Sequence, residues 1–283
     1  MKLTKLDTYV PLGLSTACFF GIRYTENCFD FYRQYDIDIA EVFLSSASEY
    51  TVEYVQYLKS CLEGVTVHSV HSLGIQYEAE LFSSHDRVRG DAEVVLHNVC
   101  NAASILGAKY ITFHGPLKLK RQQYVHNYDN IAITINKICD ILTQYGLKLS
   151  YENIHYGYFD NPGYFATLSQ LCPELYATID VKQAVQGGKN PLEFLKACSD
   201  RISTIHLCDV DLNNSPCLPL DGVIDFDSIF NYLVSNDIRV PLLLELYSSS
   251  YRHREQDIVD SYDKLANKLA NTKGNIIKFE LKE

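Results

Sequence analysis

Short runs of apolar and β-branched residues alternate with longer amphipathic stretches along the chain, and this alternation limits the possible folds more than any other feature. It is typical of βαβ units built around a parallel sheet. The predicted strands cover residues 12–19, 37–44, 65–71, 110–114, 147–153, 176–180, 203–208 and 242–247. Helical patterns lie at about 27–35, 49–62, 86–106, 123–145, 163–171, 191–198, 226–236 and 255–271, with Gly107, Asn190 and Asp225 as predicted caps.

Eight strand-plus-helix units in 283 residues predict one (β/α)8 TIM barrel that occupies residues 1–283 as a single domain. No linker rich in Gly, Ser or Pro divides the units. An open doubly wound sheet is the alternative. No GxGxxG or GxxxxGK[ST] motif follows any predicted strand, so the usual nucleotide-binding loops are missing.

Charge and cysteine content restrict the partners and the compartment. The chain has 25 Lys and Arg against 35 Asp and Glu, and this acidic balance argues against a nucleic-acid partner, because nonspecific binding depends on basic residues. The nine cysteines include no CxxC pair, which indicates buried thiols in a reducing cytoplasm. No apolar run approaches the length of a transmembrane helix. We therefore expect a cytoplasmic protein, monomeric or homo-oligomeric, with a small-molecule partner and no membrane partner.

Ionisable residues stand near the C-terminal ends of seven of the eight predicted strands. Parallel strands that are buried on both faces should be almost entirely apolar, so these residues need an explanation. In a (β/α)8 barrel such positions converge on the mouth, where the βα loops form active sites. The residues are Glu41, His68, His71, His114, Glu152, Asp180, His206 and Glu245.

The last four strands carry the sharpest group, which we call the quartet: Glu152, Asp180, His206 and Glu245. Carboxylates that face one another at a barrel mouth repel unless a cation lies among them. Three carboxylates and one imidazole suit Mn²⁺, Mg²⁺ or Zn²⁺. Pairing with Lys or Arg is the alternative, but few basic residues stand nearby in the sequence. The quartet is therefore predicted to hold one divalent metal.

Several motifs resemble the xylose isomerase-like TIM barrel family, which includes sugar isomerases and epimerases together with endonuclease IV-type AP endonucleases. The most specific motifs are YEN at 151–153, the stretch 179–211 and LPLDGVIDFDSIF at 218–230, and the resemblance covers nearly the whole chain. It implies that the quartet holds a catalytic divalent metal. It also implies that Glu152 and Glu245 move protons to and from the substrate.

The leading hypothesis is a metal-dependent isomerase or epimerase that acts on a small ketose, keto-polyol or sugar phosphate. One glutamate would remove a proton next to the carbonyl, giving an enediolate, and the other would return a proton from the opposite face. Return to the same carbon gives epimerisation, and return to the neighbouring carbon gives isomerisation. A small carbohydrate is the expected partner.

Two alternatives stay open. His71 and His114 match the positions at which the AP endonucleases bind a further zinc together with the strand 5 glutamate, so these histidines are predicted to bind a second metal or the substrate. Neutral, hydrogen-bonded histidines are the other interpretation. The third zinc of those enzymes would need a histidine where Gln183 stands and an Asp-x-His that is missing from 209–225. Cleavage of abasic DNA is therefore the minor alternative, and a non-catalytic barrel with a vestigial metal site is another.

Five further residues receive supporting roles. His68 lies three positions before His71 and is expected to face away from the barrel axis. Glu41 is predicted to bind a substrate hydroxyl or to form a salt bridge to a neighbouring strand. By the family comparison, Lys182 and Gln183 contact the substrate or support the metal ligands, and an ordinary loop start is the alternative. Asp209 is predicted to orient His206 through its second ring nitrogen, with a helix N-cap as the alternative.

The loops after the predicted strands supply three further expectations. A basic cluster after strand 4, at Lys118, Lys120 and Arg121, is a candidate for contact with a substrate phosphate. Tyrosines in the mouth loops, such as Tyr156 and Tyr247, suit packing against a sugar. LPLDGVID departs from the LPGxGxxD pattern of the sugar-directed members, because Leu220 stands where a glycine is usual.

Overall fold

Eight parallel strands hydrogen-bond edge to edge into a closed barrel in this computed structural model, which describes residues 10–72, 75–118, 125–251 and 254–280. The barrel strands are β1 (Leu12–Ser15), β2 (Ile39–Leu44), β3 (Thr66–Ser72), β4 (Tyr110–Phe113), β5 (Lys148–Glu152), β6 (Leu175–Asp180), β7 (Ile202–Leu207) and β10 (Leu242–Leu244). Around the barrel their order is β1, β10, β7, β6, β5, β4, β3 and β2. A small antiparallel ribbon of β8 (Asp209–Val210) and β9 (Pro216–Cys217) follows β7. The predicted (β/α)8 barrel is confirmed.

Helices surround the barrel and bury their apolar faces against it. They are α1 (Thr25–Tyr35), α2 (Val52–Cys61), α3 (Ile75–Glu80), α4 (Asp86–Leu106), α5 (Tyr128–Thr143), α6 (Pro162–Leu171), α7 (Val181–Gln186), α8 (Pro191–Cys198), α9 (Phe226–Ser235), α10 (Ser248–Tyr251) and α11 (Glu255–Glu280), with 3-10 turns at Thr16–Phe19, Ala47–Tyr50 and Ser199–Arg201. Within the described ranges, no helix is long and apolar enough to cross a membrane.

The predicted caps are confirmed. Gly107 follows α4 with a φ of 82°, a left-handed conformation that glycine adopts without strain. The side chain of Asn190 accepts a hydrogen bond from the backbone N–H of Leu192 at the start of α8. Asp225 accepts from the N–H of Ser228 in the same way at the start of α9. These contacts fix where the loops after β6 and β7 return to the barrel wall.

The first predicted strand is wrong in its second half. Strand β1 ends at Ser15, and residues 16–19 form a 3-10 turn whose first free N–H, that of Ala17, donates to Ser15 Oγ. The eighth strand is correspondingly shorter than predicted, because Leu246 donates its N–H to Cys18 Sγ instead of to a strand carbonyl. The short helices α3, α7 and α10 were not predicted, and α11 extends beyond its predicted end.

The barrel interior below the mouth is polar. Besides Ser72 at the mouth, seven Ser and Thr side chains of the barrel strands are at most 2% exposed: Ser15, Ser69, Thr112, Ser150, Thr178, Ser203 and Thr204. Barrel interiors are more often filled by Val, Ile and Leu. Every hydroxyl needs a partner when it is buried, so this layer ties neighbouring strands together, as in the 2.6 Å contact between the Ser150 and Thr178 hydroxyls.

His68 faces the barrel interior, so its predicted outward orientation is wrong. Its Nε2 lies 3.1 Å from the Ser203 carbonyl oxygen and 3.0 Å from Thr204 Oγ1. Both residues belong to β7, which does not neighbour β3, so His68 reaches them across the interior. The physical reason is a bulge: Ala40 pairs with Val67 but Glu41 pairs with Ser69, which inserts His68 as an extra residue and changes the alternation.

Candidate metal centre

The structure brings the predicted quartet together at the mouth. Glu152 and Asp180 end β5 and β6, His206 is the penultimate residue of β7, and Glu245 directly follows β10. These four strands are neighbours in the barrel, so their C-terminal ends present the side chains side by side. Each side chain offers one ligand atom, and the four atoms all lie within 4.8 Å of one another. Only Glu245 is partly exposed, with 13% of its side chain accessible.

The spacing and the donor set fit a divalent cation. His206 Nδ1 lies 3.2 Å from Glu152 Oε1 and 3.3 Å from Glu245 Oε2. Two ligands of one tetrahedral zinc, each about 2.1 Å from the ion, lie about 3.4 Å apart. In addition, Glu152 Oε2 and Asp180 Oδ2 are buried and accept no hydrogen bond of good geometry, although His114 Nε2 lies 3.2 Å from the first oxygen and Lys182 Nζ 3.0 Å from the second. Buried acceptors of this kind are costly, and a bound cation would satisfy them.

One ammonium group shares the site with the quartet. Lys182 Nζ lies 3.0 Å from Asp180 Oδ2, and both side chains are 1% exposed. The same Nζ donates to Tyr247 Oη at 3.3 Å. Within the described ranges, Lys182 is the Lys or Arg side chain that forms an ion pair with the quartet, so the predicted alternative, pairing with Lys or Arg, is met for Asp180 and not for the two glutamates.

Burial and mutual attraction shift the pKa values of the quartet. Burial raises the pKa of Asp180, against the opposing effect of Lys182. Burial also acts to raise the pKa of Glu152, but His206 and His114 outweigh it and lower that pKa to about 2. For His206, burial acts to lower the pKa, but Glu41 and the two quartet glutamates raise it well above its ordinary value. The site thus pairs negative carboxylates with positive imidazole.

His71 and His114 lie next to the quartet and face each other. Their Nε2 atoms are 3.2 Å apart, and His114 Nε2 is also 3.2 Å from Glu152 Oε2. His71 Nε2 is 3.9 Å from the same oxygen. These three atoms form a second group with the spacing of metal ligands, and the group shares Glu152 with the quartet.

Glu78 is a site residue that the sequence interpretation missed. It lies in α3, is fully buried, and its Oε2 accepts hydrogen bonds from the N–H groups of His114 at 2.7 Å and Gly115 at 3.0 Å. The same oxygen is 3.7 Å from His114 Nδ1. Glu78 does not stand at the end of a predicted strand. The apolar residues Tyr77 and Leu81 on either side of it are the feature of the sequence that indicates a buried helical face.

Glu41 lies beneath the quartet, inside the hydroxyl layer. It is fully buried, and its Oε1 is 3.2 Å from His206 Nε2. Its oxygens also accept hydrogen bonds from Ser15, Ser69 and Thr112. The predicted salt bridge to a neighbouring strand corresponds to the 3.7 Å separation of Glu41 Oε1 from His71 Nδ1 on β3, whereas the shorter contact with His206 crosses the barrel to β7. The predicted contact with a substrate hydroxyl would need an exposed oxygen.

Asp209 does not orient His206, so that prediction is wrong. Its Oδ1 accepts from the N–H groups of Val210 and Ile224, and its Oδ2 accepts from those of Leu220 and Gly222. The chain turns into the β8–β9 ribbon directly after Cys208, which aims the carboxylate at the 218–224 loop. The helix N-cap alternative is also wrong, since Asp225 caps α9.

The 218–224 loop keeps a conformation that suits glycine. Leu220 has a φ of 70°, in the left-handed region, at the position where the sequence pattern led us to expect glycine. A non-glycine residue in this region costs about 1 kcal/mol. At Gly222 a Cβ atom would lie 2.2 Å from the Val210 carbonyl oxygen, so only glycine fits beside Asp209.

A cavity of about 260 Å³ opens above the quartet. The quartet members Glu152, Asp180 and Glu245 line it together with His71, His114, Lys182, Gln183, Phe20, Phe43, Tyr156 and Tyr247. Gln183 Oε1 accepts from His155 Nδ1 at 2.6 Å, which leaves its amide nitrogen for other partners. Lys182, Gln183 and the two tyrosines therefore lie where the sequence predicted substrate contacts.

The structure does not support the predicted contact between Lys118 and a substrate phosphate. Lys118 forms an ion pair with Asp160, which occupies its ammonium group. Lys120 and Arg121 lie outside the described residues.

Solved structures of several carbohydrate enzymes have the same fold. A D-tagatose 3-epimerase-like protein matches with a TM-score of 0.72 and 18% identity, over 92% of this chain and 99% of its own. An L-ribulose 3-epimerase matches with a TM-score of 0.74 and 12% identity, over 95% and 98%. IolI with a bound zinc atom matches with a TM-score of 0.72 and 12% identity, also over 95% and 98%. At these identities the likeness shows the fold alone.

Sequence comparison extends this likeness. An uncharacterised protein of Methanocaldococcus jannaschii, MJ0008, is 25% identical over 137 residues, which is 47% of this chain and 57% of that protein. The sequence model described as "Xylose isomerase-like TIM barrel" matches residues 28–268, from α1 into α11. The chain therefore belongs to the xylose isomerase-like TIM barrel family.

Proposed function

We propose that this protein is a divalent-metal-dependent isomerase or epimerase of a small ketose, keto-polyol or sugar phosphate. The observation that carries the proposal is the convergence of Glu152 and Glu245, which both line the cavity, on one atom, His206 Nδ1. The two glutamates come from β5 and β10, at opposite ends of the row of four strands. Two structural neighbours, a D-tagatose 3-epimerase-like protein and an L-ribulose 3-epimerase, support a carbohydrate substrate.

The quartet side chains would hold the ion, which would act as a Lewis acid toward a substrate carbonyl. Glu152 lines the cavity and, as an ionised carboxylate, would accept a proton from the adjacent carbon. Glu245 approaches from the other end of the row and would return a proton on the opposite face. Lys182 and Tyr247 would donate hydrogen bonds to substrate oxygens from the cavity wall.

Mn²⁺, Mg²⁺ and Zn²⁺ are the candidate ions. Carboxylate oxygens and one imidazole nitrogen are compatible with all three. The zinc atom of the IolI structure supports zinc as one candidate. Elemental analysis of the purified protein identifies which ion is retained.

The proposal is tested by solvent deuterium exchange into a panel of ketoses, keto-inositols and their phosphates, with and without added metal. A substrate should acquire deuterium next to its carbonyl only when metal is present. Glu152→Gln and Glu245→Gln should each reduce exchange at least a hundredfold, because each removes a group that transfers protons. Chromatography of the product separates epimerisation from isomerisation.

Glu174→Gln is the matched control, since Glu174 is exposed directly before β6, at the end of the barrel opposite the mouth. It should leave exchange unchanged. Full exchange in either quartet variant would remove the assignment of that glutamate. Absence of exchange across the panel, with metal bound, would favour a non-catalytic barrel.

A second cation between His71 and His114 is supported by the 3.2 Å separation of their Nε2 atoms and by their shared neighbour Glu152. His114→Gln should then reduce the bound metal from two equivalents to one, measured by titration with Co²⁺. A single equivalent in the unaltered protein would favour the other interpretation, an N–H···N hydrogen bond between neutral imidazoles.

Abasic-site DNA belongs in the same panel. A third zinc would need a histidine at position 183 and an Asp-x-His within 209–225, and the sequence has neither. Gln183 instead accepts a hydrogen bond from His155, and the Asp209 carboxylate accepts from backbone N–H groups. We therefore expect no incision of abasic DNA. Rapid metal-dependent incision would replace the sugar proposal with a phosphodiesterase.

A further inference from the structure

We infer that Glu41 is a positioning residue, which fixes His206 with its proton on Nε2 and so leaves Nδ1 free as a metal ligand. The inference rests on the proposed metal centre and adds a residue to it. Glu41 comes from β2, on the far side of the barrel from β7, so the contact spans the interior. It changes the role predicted for Glu41 from binding substrate to supporting a ligand.

The surroundings of Glu41 make both of its oxygens acceptors. Oε1 accepts from Ser15 Oγ at 3.2 Å, and Oε2 accepts from Ser69 Oγ at 2.8 Å and Thr112 Oγ1 at 2.7 Å. All of these side chains are fully buried. A carboxylate offers about four lone-pair positions, and three of them are occupied by these hydroxyls.

His206 Nε2 takes the remaining position. It lies 3.2 Å from Glu41 Oε1 and 3.3 Å from Oε2, within reach of both oxygens. Because the ionised carboxylate only accepts, this ring nitrogen has to be the donor. The hydrogen bond made by one imidazole nitrogen decides which nitrogen is free for a metal. Nδ1 is therefore the nitrogen left for a metal, which would replace the proton that Nδ1 shares with Glu152 and Glu245 in the metal-free site.

A second carboxylate, that of Glu78, faces an imidazole next to this pair, but the two groups are farther apart. Glu78 Oε2 is 3.7 Å from His114 Nδ1, too far for a good hydrogen bond, and its short contacts are with backbone N–H groups. Asp209, the residue that the sequence placed behind His206, is committed to the 218–224 loop. Among the described residues, Glu41 is the carboxylate that lies against Nε2 of His206.

Three variants test the inference through metal affinity, measured by Co²⁺ titration of the full-length protein. Glu41→Gln should weaken Co²⁺ binding ten- to a hundredfold, the range found when a partner of a metal-binding histidine is removed. It should also change the visible absorption bands of bound Co²⁺, since the Nδ1 ligand is no longer held in place. Thr112→Val removes the shortest hydroxyl contact of Glu41 and should weaken binding by a smaller factor.

Thr178→Val is the matched control. Thr178 is an equally buried barrel hydroxyl, but it bonds to Ser150 and not to Glu41. It should leave Co²⁺ affinity and the absorption bands unchanged. A merely structural role of Glu41 would lower the melting temperatures of the metal-free and metal-bound forms equally and would leave affinity intact, and that result would overturn the inference. If Glu41→Gln does not fold, Thr112→Val decides: affinity equal to that of Thr178→Val would overturn it.

The outcomes separate this inference from the proposed function. Weakened Co²⁺ binding in Glu41→Gln supports the positioning role even if no sugar exchanges deuterium, in which case only the proposed reaction falls. Unaltered binding in Glu41→Gln, alongside active exchange in the unaltered protein, removes the role of Glu41 alone. A protein that binds no divalent ion overturns both.

Discussion

Lys182 Nζ lies 3.0 Å from Asp180 Oδ2, so the one ammonium on the described cavity wall is paired with a proposed metal ligand. Both groups are buried, and removal of one partner of such a pair leaves an uncompensated charge. We expect Lys182→Met to lower the free energy of unfolding of the metal-free protein by about 3 to 5 kcal/mol. Urea unfolding with chelator present measures this loss.

Metal should restore much of the stability lost in Lys182→Met, because a divalent ion then supplies the positive charge beside Asp180. The increase in unfolding free energy on adding metal should therefore be larger in Lys182→Met than in the unaltered protein. Lys59→Met, at an exposed position of α2, is the control and should behave like the unaltered protein. Equal stabilisation by metal in all three proteins would show that Asp180 does not take part in metal binding.

We expect Asp209 to stabilise the 218–224 loop and to have little effect on metal affinity. Its carboxylate accepts four backbone hydrogen bonds, and two of the donors, the N–H groups of Val210 and Ile224, are buried. Asp209→Ala leaves these two without a partner, at a cost of about 1 to 3 kcal/mol for each. We expect faster proteolysis within residues 211–224 and a Co²⁺ affinity within twofold of the original. A tenfold loss of affinity would restore the sequence-based prediction that Asp209 orients His206.

The buried thiols should be unreactive at pH 8. Burial raises the pKa of Cys100, Cys139 and Cys208 to about 12, and of Cys172 to about 11, so the reactive thiolate is scarce. The partly exposed cysteines are Cys61 and Cys217. A thiol reagent such as DTNB should react quickly with at most these two, and with all nine cysteines after unfolding. Rapid reaction of more thiols in the folded protein would contradict this burial.

The same thiols should reduce stability at alkaline pH. Their pKa values are raised in the folded state, so they favour folding below the unfolded pKa near 9 and lose that contribution as the pH rises toward 12. Each contributes a loss of about 1.4 kcal/mol at pH 10. Urea unfolding at pH 8 and pH 10 should show a drop of several kcal/mol. Cys100→Ala should reduce this loss of unfolding free energy by about 1.4 kcal/mol, the contribution of one thiol. A loss as large as that of the unaltered protein would contradict the prediction.

The strand pattern predicted the barrel and the quartet because both depend on local features. Each quartet residue stands at or next to the end of a short strand pattern, and closure of the barrel brings the ends of neighbouring strands together. No knowledge of long-range contacts is needed to place Glu152 beside Asp180. The proposed chemistry needed the family resemblance in addition.

The misplaced residues depend on contacts that the local sequence does not contain. His68 turns inward because of a bulge in the pairing of β2 with β3. Glu41 finds His206 across the barrel, and Asp209 is turned away by a two-residue strand. Glu78 lies in a helix of six residues, too short for a periodic pattern to be visible. Each outcome was decided by tertiary geometry, which local patterns do not encode.

Anomalous diffraction from crystals grown with Mn²⁺ tests the metal centre most directly. We expect a strong anomalous peak at the mouth of the barrel, within coordination distance of Glu152, Asp180, His206 and Glu245. The coordinating atom of His206 should be Nδ1, with Nε2 still facing Glu41. No peak at saturating Mn²⁺, or a peak away from these four side chains, would contradict the proposed site and the reaction built on it.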